Sequence, residues 1–116
     1  DPVYDLDVLY VLRNNCRFYI HGHSAGGTNP SLVEAMFFNC PILAYDVIYN
    51  RETTENKAFY FRDAEQLIAL LRNDNALLLE KSARDMSEIA NRRYLWEVVS
   101  RQYLEQFDLV SVKADR

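Results

Sequence analysis

The chain of 116 residues is poor in cysteine, glycine and proline, with two, three and three of each. Cys16 and Cys40 lack both a CxxC spacing and a histidine at a metal-ligand interval, so we interpret them as reduced, buried thiols. No apolar run is long enough to span a membrane. The first residues, Asp1 and Pro2, are neither an initiator methionine nor part of a signal peptide. We therefore expect a cytoplasmic piece cut from a longer protein.

An excess of positive charge is also absent. The chain carries 13 lysines and arginines against 17 aspartates and glutamates, a net charge of −4. Nucleic-acid binders usually carry a clustered basic surface, and the pair Arg92 and Arg93 is too small to supply one. The apolar and charged fractions, 49% and 26%, are typical of one globular domain. We expect a single unit over 1–116 that does not bind nucleic acid.

Hydrophobic periodicity predicts alternating helices and strands along the chain. The predicted elements are a short helix within 5–15, a strand over 17–21, a helix over 30–39, a strand over 41–45, a short helix around 50–52, a strand over 58–61, a helix from Asp63 to 73–75, and a helical tail over 76–116 that is broken near Asn91. Trp96, Val99, Tyr103 and Phe107 predict a packing stripe on that tail. The alternation predicts an α/β fold with about three parallel strands, half of a Rossmann-like doubly wound sheet, in which they take the places of strands 4, 5 and 6.

All three glycines, Gly22, Gly26 and Gly27, fall in the loop between the first predicted strand and the following helix. Glycine adopts positive φ and lets the backbone approach a ligand closely. Asn29 and Pro30 are favoured residues for a helix N-cap and first turn. Because the backbone amides of a helix N-terminus attract anions, the loop is typical of a phosphate or sugar site.

The stretch Tyr19–Met36, followed by Cys40–Asp46 and Asn50–Glu52, resembles the C-terminal domain of retaining nucleotide-sugar glycosyltransferases of the two-Rossmann-domain (GT-B) type. Within that group, which is glycosyltransferase family 4-like, it is most similar to bacterial rhamnosyltransferases that build surface polysaccharides. The similarity covers about residues 5–62. It implies the second half of a donor-binding domain, and transfer of a sugar, rhamnose among the candidates, from a nucleoside diphosphate to a glycan or lipid-linked acceptor. It also implies catalysis without a metal or other cofactor.

The same resemblance assigns candidate donor-binding residues. Glu34 matches the second glutamate of the family's E-x7-E motif, which binds the ribose hydroxyls of the donor. Gly26 stands where the first glutamate is expected, which implies a different contact with the sugar. The backbone amides of Gly27, Thr28 and Asn29 would hold sugar hydroxyls or the β-phosphate. From the residues alone, Glu34 could equally be a glutamate favoured by the helix dipole, and the loop a plain capped turn.

Two histidines and one adjacent charged pair are weaker candidates. His21 and His23 stand on either side of Gly22 at the end of the predicted strand, and we expect at most one of them to face a ligand crevice. An H-x-H pair without a third ligand is poor evidence for a metal, and we assign no metal ligand. Arg51 and Glu52 could touch the nucleotide, but we favour a surface ion pair at a helix start.

The predicted fragment lacks the acceptor half of such an enzyme. We therefore expect the chain to be inactive alone, and to self-associate through the open edge of the strand over 17–21. The full-length enzyme would work in the cytoplasm, at the inner face of the membrane. A stand-alone nucleotide or anion-binding module and a purely structural domain are the alternatives from other classes.

Overall fold

Strands and helices alternate along the chain in the computed structural model, which describes residues 9–13, 16–22 and 30–114. The elements are β1 (Leu9–Arg13), β2 (Cys16–His21), α1 (Pro30–Met36), β3 (Ile42–Tyr45), α2 (Ile48–Thr53), β4 (Phe59–Phe61), α3 (Ala64–Leu71), α4 (Ala76–Ile89), a π-helical turn (Ala90–Tyr94) and α5 (Leu95–Ala114). The predicted helices and strands from residue 16 onward are present, with α1 ending three residues earlier than expected.

The four strands form one sheet in the order β1-β2-β3-β4. β2, β3 and β4 run parallel, with Tyr19 opposite Ile42 and Leu43 opposite Phe59. β1 pairs antiparallel with β2. The α/β class and the parallel trio compatible with half of a Rossmann-like sheet are therefore confirmed. Because these three strands share a direction, their carboxyl ends meet at one edge of the sheet, where open α/β sheets bind ligands.

Residues 9–13 form a strand, and the prediction of a helix within 5–15 is wrong for them. Their run Leu-Tyr-Val-Leu is continuously apolar, so it suits a strand as well as a helix, and pairing satisfies the backbone groups along the edge of β2. The Tyr10 ring lies 5.1 Å from that of Tyr19, and the Arg17 guanidinium lies 4.0 Å from the Tyr10 ring. The edge of β2 is covered, so the predicted route to self-association through that edge lacks its basis.

Helices cover both faces of the sheet. On one face α1, the end of α4 and the start of α5 bury a core of Tyr19, Leu32, Val33, Ala35, Met36, Cys40, Ile42, Ala44, Met86, Ile89, Ala90, Tyr94 and Val98. On the other face α3 and the start of α4 bury Phe18, Ile20, Leu43, Phe61, Leu67 and Leu79. This two-sided burial explains why Phe18–Ile20 of β2 and Ile42–Ala44 of β3 are continuously apolar and do not alternate with polar residues.

The C-terminal helical tail continues through the π-helical turn and is not interrupted at Asn91, whose side-chain amide donates to the Ser87 carbonyl at 2.8 Å. Tyr94 at the end of this turn and Val98 on α5 face the core, whereas Trp96 and Tyr103 are 80% and 68% exposed. The predicted packing stripe therefore does not pack on this domain, because at 100° per residue it lies opposite the buried face. The Phe107 side chain lies outside the described residues. No helix within the described ranges is both long and apolar enough to cross a membrane.

The two cysteines are free thiols, as predicted, but they differ in burial. Cys40 is buried beside Tyr19 on one face of the sheet, whereas Cys16 is half-buried against the cluster on the other face. Burial raises the pKa of both thiols above the ordinary value. Both therefore behave as small apolar core residues and not as reactive thiolates.

Candidate functional site

The first side of the candidate site is the carboxyl end of β2. His21, the last residue of this strand, is fully buried. Its Nδ1 lies 3.2 Å from the Tyr19 hydroxyl, and the two rings stack with their centroids 5.9 Å apart. His21 thus belongs to the packed face of the sheet, and its contact with a ligand stays a prediction.

The loop that follows is described only at its first residue, Gly22, which is buried. His23, Gly26, Gly27, Thr28 and Asn29 lie outside the described residues, so their predicted roles stay predictions. The loop is nevertheless bounded on both sides. It leaves the buried end of β2 and enters α1 at Pro30, the helix start that the sequence predicts.

Glu34 lies on the outer side of α1. Its neighbours Val33 and Ala35 are buried, whereas the Glu34 side chain is 47% exposed. Its Oε1 accepts a hydrogen bond of 2.7 Å from Nη1 of Arg101 on α5. The predicted site glutamate is therefore accessible to a ligand and is held by a side chain from the other end of the chain. No sequence spacing could have identified Arg101, because 67 residues separate the two.

A second polar cluster follows β3 and β4 at the same edge of the sheet. Arg51 donates from Nε and Nη2 to the two Asp46 oxygens, at 2.6 and 3.0 Å, and its guanidinium lies 4.2 Å from the Tyr60 ring. The Nε of Arg62 lies 3.4 Å from Asp46. The predicted pairing of Arg51 with Glu52 is wrong, because the end of β3 presents Asp46 in bidentate geometry.

The electrostatics of this cluster limit its capacity for acid–base chemistry. The hydrogen bonds from Arg51, followed by those from Arg62, lower the pKa of Asp46, whereas burial raises the pKa of the Tyr60 hydroxyl. Since both Asp46 oxygens accept hydrogen bonds from arginine, Asp46 is a poor general base. It instead fixes the start of α2 against the end of β4, whose Phe61 carbonyl accepts from the Asp46 amide at 2.9 Å.

Two clefts open at opposite edges of the sheet. A cleft of about 600 Å³ borders Asp46, Tyr60, Arg62 and Gln66 at the carboxyl ends of the strands. A larger one, of about 730 Å³, lies at the amino ends, against Arg13, Arg17 and Arg84. The described lining of neither cleft includes Glu34. The larger cleft lies at the opposite edge of the sheet from the glycine-rich loop, so the size of a cleft does not identify the candidate site.

The basic pair in the C-terminal half is neutralised locally. Arg92 contacts Glu55 and Glu88, each at 2.7 Å, and Arg93 contacts Glu55 at 3.1 Å. Arg92, followed by Arg93, lowers the pKa of Glu55, and Arg92 lowers the pKa of Glu88. The pair therefore ties the π-helical turn to the end of α2 and does not form a basic patch.

Comparison of the chain with models of protein families, with curated proteins and with solved structures found no match. Within residues 9–13, 16–22 and 30–114, no three His, Cys, Asp or Glu side chains lie close enough to hold a metal ion. Function is therefore inferred from the sequence motif and from the geometry at the carboxyl edge of the sheet.

Proposed function

We propose that the chain is the second half of the C-terminal, donor-binding domain of a retaining GT-B glycosyltransferase. The parent enzyme transfers a sugar, with rhamnose as the first candidate, from a nucleoside diphosphate to a glycan acceptor during synthesis of cell-surface polysaccharide. The chain supplies part of the donor site. The acceptor binds through an N-terminal domain outside these residues, and the enzyme works in the cytoplasm at the inner face of the membrane.

One observation carries the proposal. Glu34 presents an accessible carboxylate on the helix that follows a glycine-rich loop, and this loop leaves the carboxyl end of a strand in a parallel sheet. Ligands of open α/β sheets bind at this edge. A carboxylate can accept hydrogen bonds from two neighbouring hydroxyls, and such charge-assisted bonds are strong. These features support the ribose of a nucleotide as the partner of Glu34.

The remaining roles follow from the chemistry of the donor. Backbone amides of Gly27, Thr28 and Asn29 would bind sugar hydroxyls or the β-phosphate. Gly26 leaves room at the position where the family that the chain resembles carries a glutamate. Departure of the nucleoside diphosphate builds up negative charge, which amides and fixed dipoles stabilise without a metal. His21 and His23 are the weaker candidates for contact with the same ligand.

Binding of nucleotides to the 116-residue chain tests the proposal. We expect UDP, GDP, ADP or dTDP, added to isotope-labelled protein up to millimolar concentration, to shift the amide resonances of Gly26, Gly27 and Glu34. Glu34→Gln removes the charged acceptor and should weaken binding at least about tenfold, the lower range for a charge-assisted hydrogen bond. Glu65→Gln, a matched change in the first turn of α3, should leave the affinity unchanged.

Two results would contradict the proposal. One is the absence of any nucleotide-dependent shift in a chain that gives a folded spectrum. The other is equal loss of affinity in Glu34→Gln and Glu65→Gln, which would make the effect one of overall charge. A response to inorganic phosphate that equals the response to nucleotides would favour a general anion-binding module in place of a donor site.

A further inference from the structure

The ion pair between Arg101 and Glu34 joins a half-buried side chain on α5 to a more exposed one on α1. Arg101 lies on the face of α5 that packs on the domain, three residues after the buried Val98. Its side chain is 27% exposed, against 47% for Glu34. Glu97, one turn earlier on α5, lies 3.7 Å from the Nη2 of Arg101. The guanidinium of Arg101 thus lies between Glu97 on its own helix and Glu34 on α1.

The geometry engages one oxygen of the Glu34 carboxylate. Nη1 of Arg101 donates to Oε1 at 2.7 Å, and among the described residues no hydrogen bond to Oε2 is present. A free glutamate samples many rotamers, and ordering it upon ligand binding costs free energy. A contact that already fixes Oε1 reduces this cost and leaves Oε2 to accept from a ligand. An arginine that held both oxygens, as Arg51 holds Asp46, would compete with the ligand.

We infer that Arg101 is a positioning residue for Glu34 in the recognition of ribose hydroxyls. The inference rests on the proposed function, because it assigns a role at the same donor site. In this role Arg101 does not touch the nucleotide. It orients the carboxylate that does, and so couples the C-terminal helix to donor binding.

The test must separate positioning from simple attachment of α5 to α1. The probes are the tightest binder among UDP, GDP and ADP, and its 2′,3′-dideoxy analogue, which lacks the hydroxyls. We expect the native chain to prefer the ribonucleotide by about tenfold. Arg101→Gln should reduce this preference by about threefold or more, with little change in the affinity for the dideoxy analogue.

Two further variants sharpen the readout. Glu97→Gln removes the longer contact of Arg101 while leaving the bond to Glu34, so the preference for the ribonucleotide should persist. The double variant Glu34→Gln/Arg101→Gln should show no further loss beyond Glu34→Gln, because Arg101 acts only through Glu34. Arg101→Lys keeps one charged donor and should retain part of the preference even where Arg101→Gln destabilises the chain.

The outcomes distinguish the two hypotheses. A native chain that binds no nucleotide, or that binds both probes equally, overturns the proposed function and this inference with it. A preference that survives in Arg101→Gln overturns the inference alone. Equal weakening of both probes in Arg101→Gln, accompanied by a lower melting temperature, also overturns it, because a merely structural contact would act in that way.

Discussion

The Tyr94 hydroxyl donates a hydrogen bond of 3.0 Å to the backbone carbonyl of Thr53, in a buried site. The bond joins the π-helical turn to the end of α2, 41 residues earlier in the chain. The guanidinium of Arg93 lies 5.0 Å from the Tyr94 ring and its Nη1 donates to the Glu52 carbonyl. Tyr94 lies seven residues, about two helical turns, before Arg101, which contacts Glu34.

Tyr94→Phe tests the stability of this junction. The substitution leaves the Thr53 carbonyl buried without its hydroxyl donor, which costs about 1–3 kcal/mol. We expect the free energy of unfolding, measured by urea denaturation, to fall by that amount. Tyr103→Phe removes an equivalent hydroxyl from a side chain that is 68% exposed, and it should leave the unfolding free energy unchanged. Equal effects of the two variants would contradict the assigned role of Tyr94.

Stability should decline in acid partly through Asp46. Arg51 lowers the pKa of this carboxyl in the folded state. The pair therefore stabilises the fold above the unfolded pKa, about 4, and this contribution disappears as the pH falls through the lower folded pKa. We expect the unfolding free energy of Asp46→Asn to depend less on pH below about pH 4 than that of the native chain.

The loss at neutral pH in Asp46→Asn should be only about 0.5–1 kcal/mol, because the Arg51 side chain is 40% exposed and water screens the pair. Asp74→Asn, a change at an exposed residue, is the control. A native profile below pH 4 that matches that of Asp46→Asn would show that this ion pair does not contribute to acid sensitivity.

The chain alone should transfer no sugar. In the proposed function it supplies only part of the donor site, whereas the acceptor binds through a domain outside these residues. Incubation with labelled UDP-, GDP- and dTDP-sugars and glycan acceptors should give no labelled product. Transfer that Glu34→Gln abolishes would overturn this expectation, since it would make the 116 residues a complete enzyme.

Self-association of the chain stays a prediction. Because β1 covers the edge of β2, we now expect it to occur through α5. Trp96, Val99 and Tyr103 form an exposed apolar face on this helix. Exposed apolar patches favour association. We expect sedimentation velocity to show a concentration-dependent dimer that Trp96→Glu weakens. Leu77→Glu, at an exposed leucine on α4 outside this face, should leave the dimer intact. A chain that stays monomeric at all concentrations would refute the prediction.

Local signals predicted the elements whose start or end depends on nearby residues. Pro30 begins α1, and Asp63 caps α3 by accepting from the Gln66 amide at 2.8 Å, both as the sequence indicates. The strands β2, β3 and β4 were also predicted, because each is marked by a short apolar run of neighbouring residues. The segment 9–13 was not predicted as a strand, because its apolar residues also fit helical spacing. It forms a strand by pairing with the edge of β2.

The sequence by itself determined the α/β class and the start of α1 at Pro30, and it predicted Glu34 as a donor-binding residue. These follow from the order of apolar runs, turn residues and one motif, all of which are local. Only the tertiary structure decided that Asp46 takes Arg51, that the Trp96 face is exposed and that Arg101 reaches Glu34. Such contacts depend on how helices far apart in the chain pack on the sheet, and no local pattern records that packing.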